Sequence, residues 1–350
     1  MGMAHAIASR VQLYRALADE SRLRLLALAE QDALTVGELA QLLGDSQPQV
    51  SRKASALREL GLLDARKEGT RTYLHTQASD DAVVQDALTE GRRLVQHDGS
   101  LAKVPFVLAA REDAGRALFD DANDASAEPT DLPWPAHLQA AALMVEATAG
   151  STDGKLDLLV DVGCGDGAAL CVLAPFFKRV LAVDRSRARL SVAARRLQQH
   201  GLSHVQLVEA SFDDAELLQR VDELGGANVV FAGRILHHLS RPSVALQQAS
   251  RMVRKDDGVL VVLDYDAHQD EQLRQEQGDV WLGFSQQQLA SHLEAAGLHL
   301  TQSTPIAEGH GAALKGAGPD AKVPWMLTLA RPADSTARQD ASVVPLSRRA

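Results

Sequence analysis

The sequence predicts an α/β domain preceded by a mainly helical unit. Short helical signals and one hairpin fill the N-terminal third, whereas apolar runs alternate with helical stretches from Leu156 to about Leu263, the rhythm of a doubly wound parallel sheet. A chain of 350 residues, 45% of them hydrophobic, is long enough for two cores. Between the two patterns, residues 119–135 (FDDANDASAEPTDLPWP) are acidic, rich in small residues and proline, and without hydrophobic periodicity, which is the composition of a linker. The reading is therefore a first domain over 1–118, a linker over 119–135, an α/β domain over 136–331 and a disordered tail over 332–350, where no periodic pattern is left.

The formal charge of -10 excludes a chain that coats nucleic acid indiscriminately, so any DNA contact must come from a local basic surface. The two cysteines, Cys164 and Cys171, have no zinc-binding or redox spacing, which points to a reducing compartment and to no metal. MGMAHAIASR has no apolar signal core, and Ala6 stands where myristoylation favours Ser or Thr. LDLLVDVG and GVLVVL are too short to span a bilayer. The expectation is a cytoplasmic protein with no membrane partner.

In the first domain, Leu23, Leu25, Leu26 and Leu28 form the core of one short helix, and Thr35 to Glu38 opens the next with a capping-box pattern. A loop at Gly44-Asp45 leads to a second such pattern, Ser46-Gln47-Pro48-Gln49, and a helix running to Leu60. This is a helix-turn-helix layout. On its last helix Val50, Ala54 and Leu57 share one face, which turns Pro48, Arg52 and Ser55 outward with Gln49 and Ser51 beside them. Short polar donors and an arginine suit a major groove, so Gln47, Gln49, Ser51, Arg52 and Ser55 are the candidate DNA readers. Leu62 to Arg66 and Arg71 to His75 read as two strands of a wing, with Lys67 at its tip and Arg71 opening the return strand as phosphate contacts. Ser79 to Leu118 is a further helical stretch broken at His97 to Ser100 and at Pro105.

The stretch from Ala16 to His75 resembles the ArsR family of winged-helix repressors. That resemblance implies an operator-binding homodimer, with Val11, Leu13 and Leu17, together with Val83, Val84, Ala87 and Leu88, at a two-fold interface. The helix that carries cysteines in metal-sensing members corresponds to Leu34 to Leu39, which has none, so metal sensing there is not expected.

In the second domain, Leu156 to Val162 reads as the first strand, followed by Gly163-Cys164-Gly165-Asp166-Gly167 and a helix, AALCVLAPFF. Glycines at a strand end let the backbone approach a ligand that side chains would exclude. The next strand, RVLAV, ends in Asp184, about where an acidic residue reaches a ribose diol in such folds. His237 and His238 follow the fourth strand; His237 is a weak candidate for a base, and adjacent histidines there also cap a helix or line a pocket without chemistry. Asp264 and Tyr265 end the fifth strand, where they can face the pocket, although an aspartate at a strand end is often just a cap.

LLVDVGCGDGAAL, VLAVDRS, VVFAGRILHHL and GVLVVLDY together look like a class I S-adenosylmethionine-dependent methyltransferase with a Rossmann-like fold. The resemblance implies that Asp161 orders the loop, that Gly163, Gly165 and Gly167 pass beside the methionine moiety, and that Asp184 holds both ribose hydroxyls. Ser211, with Phe212 next to it, stands near the position where the family often has an acidic residue for the adenine amino group. The ligand implied is S-adenosyl-L-methionine or S-adenosyl-L-homocysteine.

Two functions follow. One is a DNA-binding transcriptional regulator whose methyltransferase-like domain senses the nucleoside. The other is an active methyltransferase acting on a small molecule, with the winged helix serving autoregulation. A third reading is a structural protein with both sites vestigial.

Overall fold

A computed structural model of the chain describes residues 2–122, 154–306 and 323–333. It forms two compact units, Met1–Arg116 with Gln269–Leu282, and Ala117–His268 with Gly283–Ala350. Most of the expected linker and nearly all of the expected tail lie outside the described residues. Among the described residues no helix is long and apolar enough to cross a membrane.

The first unit runs α1 (Gly2–Leu17), α2 (Glu20–Gln31), β1 (Leu34–Thr35), α3 (Val36–Leu43), α4 (Gln47–Arg58), β2 (Leu63–Glu68), β3 (Arg71–Thr76), α5 (Ala82–His97) and α6 (Ser100–Ala122). Its three strands form one antiparallel sheet in the order β1-β3-β2. Leu25, Leu26, Leu28, Leu39, Val50, Leu57 and Leu74 are buried in a single core. The capping box at α3 is formed: the Glu38 N–H donates to Thr35 Oγ at 3.2 Å, and the Thr35 N–H to Glu38 Oε2 at 2.7 Å. Gly44 ends α3 in the left-handed region (φ 69°), which turns the chain sharply into α4.

Three details differ from the sequence reading. Lys67 is a strand residue rather than a turn residue, because pairing continues to Glu68 opposite Arg71 and leaves only Gly69-Thr70 to turn. Pro105 does not break α6: burial of Val104, Val107 and Leu108 against the core offsets the backbone bond that proline removes. The expected dimer surface is largely internal, since Leu17, Val84, Ala87 and Leu88 are buried in this unit's own core and Val83 packs against it, while Val11 is exposed.

The second unit contains β4 (Leu156–Val162), α7 (Leu170–Leu173), β5 (Phe177–Asp184), α8 (Arg187–Gln199), β6 (Val205–Glu209), α9 (Ala215–Glu223), β7 (Val229–Gly233), α10 (Pro242–Met252), β8 (Val259–Tyr265), α11 (Gln286–Ala295), β9 (Leu298–Ile306) and β10 (Trp325–Pro332). Seven strands make one sheet in the order β6-β5-β4-β7-β8-β10-β9. The first five strands pair in parallel, and β10 pairs antiparallel with both β8 and β9. Strand order reverses at β4, so the crevice beyond the carboxyl ends of β4 and β7 is where such a sheet receives a ligand. The helix expected over AALCVLAPFF is much shorter. Its last turn tightens at Ala174–Phe176, and Phe177 already belongs to β5, buried and paired with Leu156.

Candidate functional site

Two surfaces gather the candidate residues, one in each unit. On α4 the buried face of Val50, Ala54 and Leu57 leaves Gln47, Gln49, Ser51, Arg52 and Ser55 exposed. They are not equally free. Gln49 Oε1 accepts both the N–H and the hydroxyl of Ser46, at 2.9 and 2.8 Å, so this side chain holds the start of the helix. Ser55 donates its hydroxyl to Ser51 O at 3.0 Å, and Arg52 Nε to Pro48 O at 3.3 Å. Lys67 and Arg71 are exposed on the wing.

In the second unit the loop after β4 is held by its neighbour strand. The N–H groups of Gly163 and Cys164 both donate to Val183 O, at 2.8 and 2.9 Å. Gly163, Gly165 and Gly167 all have positive φ (75°, 55° and 77°), a run that residues with a Cβ rarely adopt. A Cβ on Gly163 would lie 2.8 Å from the Ile235 side chain, so the turn after β7 closes directly over the loop. Asp184 is buried and accepts from the Gly165 N–H at 2.9 Å through Oδ2 and from the Ser186 N–H at 2.8 Å through Oδ1. The Ala210 N–H donates to Asp184 O at 3.2 Å, which brings the segment carrying Ser211 and Phe212 to the same edge. Ser211 is exposed and hydrogen-bonded to Asp213, and Phe212 is half-buried.

Asp161 is 2% exposed, and its Oδ2 has no hydrogen-bond partner among the described residues. Burial, together with the charge of Asp184, pushes its carboxyl up to about 8. Burial likewise raises the Cys164 thiol, helped by Asp161 and Asp184, which leaves a small buried group rather than a nucleophile.

Sequence reasoning missed one support of this site and left the role of another, Asp264, open between the pocket and a cap. Arg196 on α8, 2% exposed, reaches Asp166 in the loop at 3.1 and 3.3 Å. Nothing in LSVAARRLQQ separates Arg196 from its neighbour Arg195 except helical phase. Asp264 also does more than end a strand: Oδ1 lies 2.7 Å from His237 Nδ1, and Oδ2 accepts the Leu236 N–H at 2.9 Å. His237 is buried, with its ring stacked 4.0 Å from that of Tyr265. His238 stays neutral, because burial and then the neighbouring His237 lower its pKa well below the usual value. Arg234, just before this turn, has a positive φ (58°) and donates its N–H to Leu263 O at 2.7 Å.

Comparison with known proteins divides the chain in the same way. The family described as bacterial regulatory protein, arsR family, matches residues 19–65, and the methyltransferase domain family matches residues 155–297. The arsenic resistance transcriptional regulator ArsR1 of Pseudomonas putida is 33% identical over 91 residues, which are 25% of this chain and 71% of that protein. The release factor glutamine methyltransferase of Xylella fastidiosa is 32% identical over 103 residues, 29% of this chain and 37% of that protein. The chain spans about a third to a half of the length of the first curated relatives it matches. Among solved structures, the N-methyltransferase NodS of Bradyrhizobium japonicum, in complex with S-adenosyl-L-homocysteine, is similar at 16% identity and a TM-score of 0.43, over 63% of this chain and 99% of that one.

Proposed function

The chain belongs to the ArsR family of bacterial regulatory proteins through its N-terminal part and carries a methyltransferase domain behind it, and from this we propose a transcriptional regulator that binds DNA and whose second domain senses an adenosyl nucleoside. The observation that carries the sensing half is Asp161, whose buried Oδ2 has no hydrogen-bond partner among the described residues, at the foot of a glycine loop. A ligand with a cationic amino-acid end supplies the partner this oxygen lacks, and Asp184 is placed to accept from a diol once its own loop contacts yield. S-adenosyl-L-methionine and S-adenosyl-L-homocysteine both fit that chemistry. Asp161, Gly163, Gly165, Gly167 and Asp184 would hold the nucleoside, with Ser211 and Phe212 at its base. When S-adenosyl-L-methionine is bound, its sulfonium supplies a transferable methyl group.

The DNA half rests on the exposed polar face of α4, with Gln47, Ser51 and Arg52 toward base edges and Lys67 and Arg71 toward phosphates. A homodimer in the cytoplasm is part of this reading. Val11 and Tyr14 on α1 and Phe106 on α6 are exposed at 44%, 53% and 75%, and these apolar side chains are the ones a second copy would cover. The nucleoside alters DNA affinity only if DNA-competent and incompetent states bind it differently.

The test is to identify any nucleoside retained on purification by mass spectrometry, titrate both nucleosides by calorimetry, and measure binding to the region upstream of its own gene with each added. Asp184→Ala is expected to weaken the nucleoside by about 100-fold, the loss of two hydrogen bonds to a charged group. Arg52→Ala is expected to weaken DNA by about tenfold and leave nucleoside binding unchanged. If neither nucleoside binds, or neither shifts promoter affinity, the sensor reading is wrong.

The His237–Asp264 pair favours a second reading, methyl transfer to a small-molecule acceptor, since a buried carboxylate on one ring nitrogen fixes the orientation of the imidazole and stabilises its protonated form. Turnover of labelled methyl groups into a cell extract, lost in His237→Asn, would support it.

A further inference from the structure

The segment Gln269–Leu282 leaves the second unit after His268 and rejoins it at Gly283, yet it is built into the first unit. Its feet are pinned together where the Phe284 N–H donates to Tyr265 O at 3.0 Å. Its far end is anchored on the wing. Trp281 lies 4.7 Å from the ring of Tyr73 on β3, and Glu68 on β2, 5% exposed, accepts from Arg274 at 2.8 Å and from the Leu282 N–H at 2.6 Å.

The near end does something that packing does not require. At the tip of the wing, the Gly69 N–H donates to Gln269 Oε1 at 3.2 Å, and the Thr70 N–H donates to Glu271 Oε1 at 2.5 Å. The other oxygen of Glu271 forms an ion pair with Arg274 Nε at 3.1 Å, so the charge of the arginine anchored on Glu68 also keeps this carboxylate near the turn. The approach is close: a Cβ on Gly69 would lie 1.5 Å from Glu271 Oε1. Two adjacent backbone amides at a hairpin tip, flanked by exposed Lys67 and Arg71, form a donor set for an oxyanion. In a winged protein on a duplex, that oxyanion is a phosphodiester oxygen.

We infer that Glu271 is a built-in substitute for a DNA phosphate, so that the strap 269–282 holds the wing shut and a duplex must displace it to engage the wing tip. This rests on the DNA-binding reading above. The tip contacts are solvent-exposed and yield readily, whereas the Glu68–Arg274 and Tyr73–Trp281 contacts are buried and keep the strap attached while its end swings away.

The experiment uses the full chain and fluorescence anisotropy with two duplexes, one random in sequence and one carrying the region upstream of its own gene, over a range of salt. Glu271→Ala is expected to tighten both by roughly three- to tenfold at low salt, because the duplex no longer has to displace a carboxylate from the wing tip. Glu276→Gln, an equal change of charge at an exposed strap residue, is the control for general electrostatics and is expected to change affinity less than about twofold. Amide exchange at Gly69 and Thr70 should be slowed in the wild type and fast in Glu271→Ala. Equal effects of the two variants, or amide exchange at Gly69 and Thr70 that is the same in the wild type and in Glu271→Ala, overturn the substitution while leaving DNA binding intact. Binding by Glu271→Ala alone, with the wild type silent, supports it in its strongest form. If neither binds any duplex, the DNA-binding reading fails and this inference falls with it.

Discussion

Glu38 in the first unit and Asp161 in the second are both carboxylates withdrawn from bulk water, and opposite things are done with them. Burial alone would raise the pKa of Glu38. Arg111 reverses this with a two-pronged contact at 2.6 and 2.5 Å, and Thr35 adds its N–H, so the carboxyl is held below the usual range. Asp161 receives no such help and is pushed up to about 8. A carboxylate fully compensated by its own protein is a structural part, spent on joining α3 to α6. One left uncompensated costs stability, and is retained where a ligand completes it. The contrast separates scaffold from site without reference to any relative.

The largest effect expected is from removing the compensation. Arg111→Ala leaves Glu38 without its cation and should lower the stability of the first unit by about 3 kcal/mol, at the low end for a buried pair because Glu38 keeps some contact with water. Urea denaturation followed by far-UV circular dichroism reads this. A loss under about 1 kcal/mol would show that the pair is no better than a surface salt bridge, and the contrast with Asp161 would shrink accordingly.

The converse experiment removes the uncompensated carboxyl group. A carboxyl whose pKa rises from 3.8 unfolded to about 8 folded binds its proton more tightly in the folded state. Its stabilising contribution is complete below about pH 4 and is lost progressively as pH rises to about 8. Asp161→Asn should therefore match the wild type at acid pH and become the more stable protein toward pH 8, while binding the nucleoside about tenfold more weakly. Thermal melts across that range and calorimetry read the two effects. Parallel melting profiles for the two proteins would mean that Asp161 has a partner after all.

How much of this was legible in the sequence depends on the range over which each feature is encoded. The α4 face, both capping boxes of the helix-turn-helix and the glycine loop with Asp184 are set by residues within one or two helical turns or one strand–turn–helix unit, and periodicity reads such spacing directly. Of the last two strands, neither of which was read, β9 (LHLTQSTPI) is a polar, edge-placed strand with a proline, and its pattern lacks the apolar run that marked the central strands. The role of Gln269–Leu282 was illegible for a different reason. Gln269, Glu271 and Arg274 meet the wing across about 200 residues of chain, and no local pattern carries a contact of that separation. The same holds for Arg111 with Glu38, and for the buried partners that took the expected dimer residues into the core.

The smallest effect expected tests the second capping box against the first. Gln49 was expected to read bases, but in the structure its side-chain oxygen accepts from Ser46 and holds the first turn of α4. Gln49→Ala should cost about 1 kcal/mol, the usual loss when a cap contact is removed. Gln49→Glu puts into this box the residue that the first box carries as Glu38, and an acidic side chain suits the first turn of a helix, so stability should stay within about 0.5 kcal/mol of the wild type. The two variants then divide the roles. If Gln49 only caps, Gln49→Glu keeps its fold and loses DNA affinity only modestly, through added negative charge at the groove. If it also reads a base, the same substitution removes sequence preference while the urea midpoint stays where it was, and specific and random duplexes bind alike.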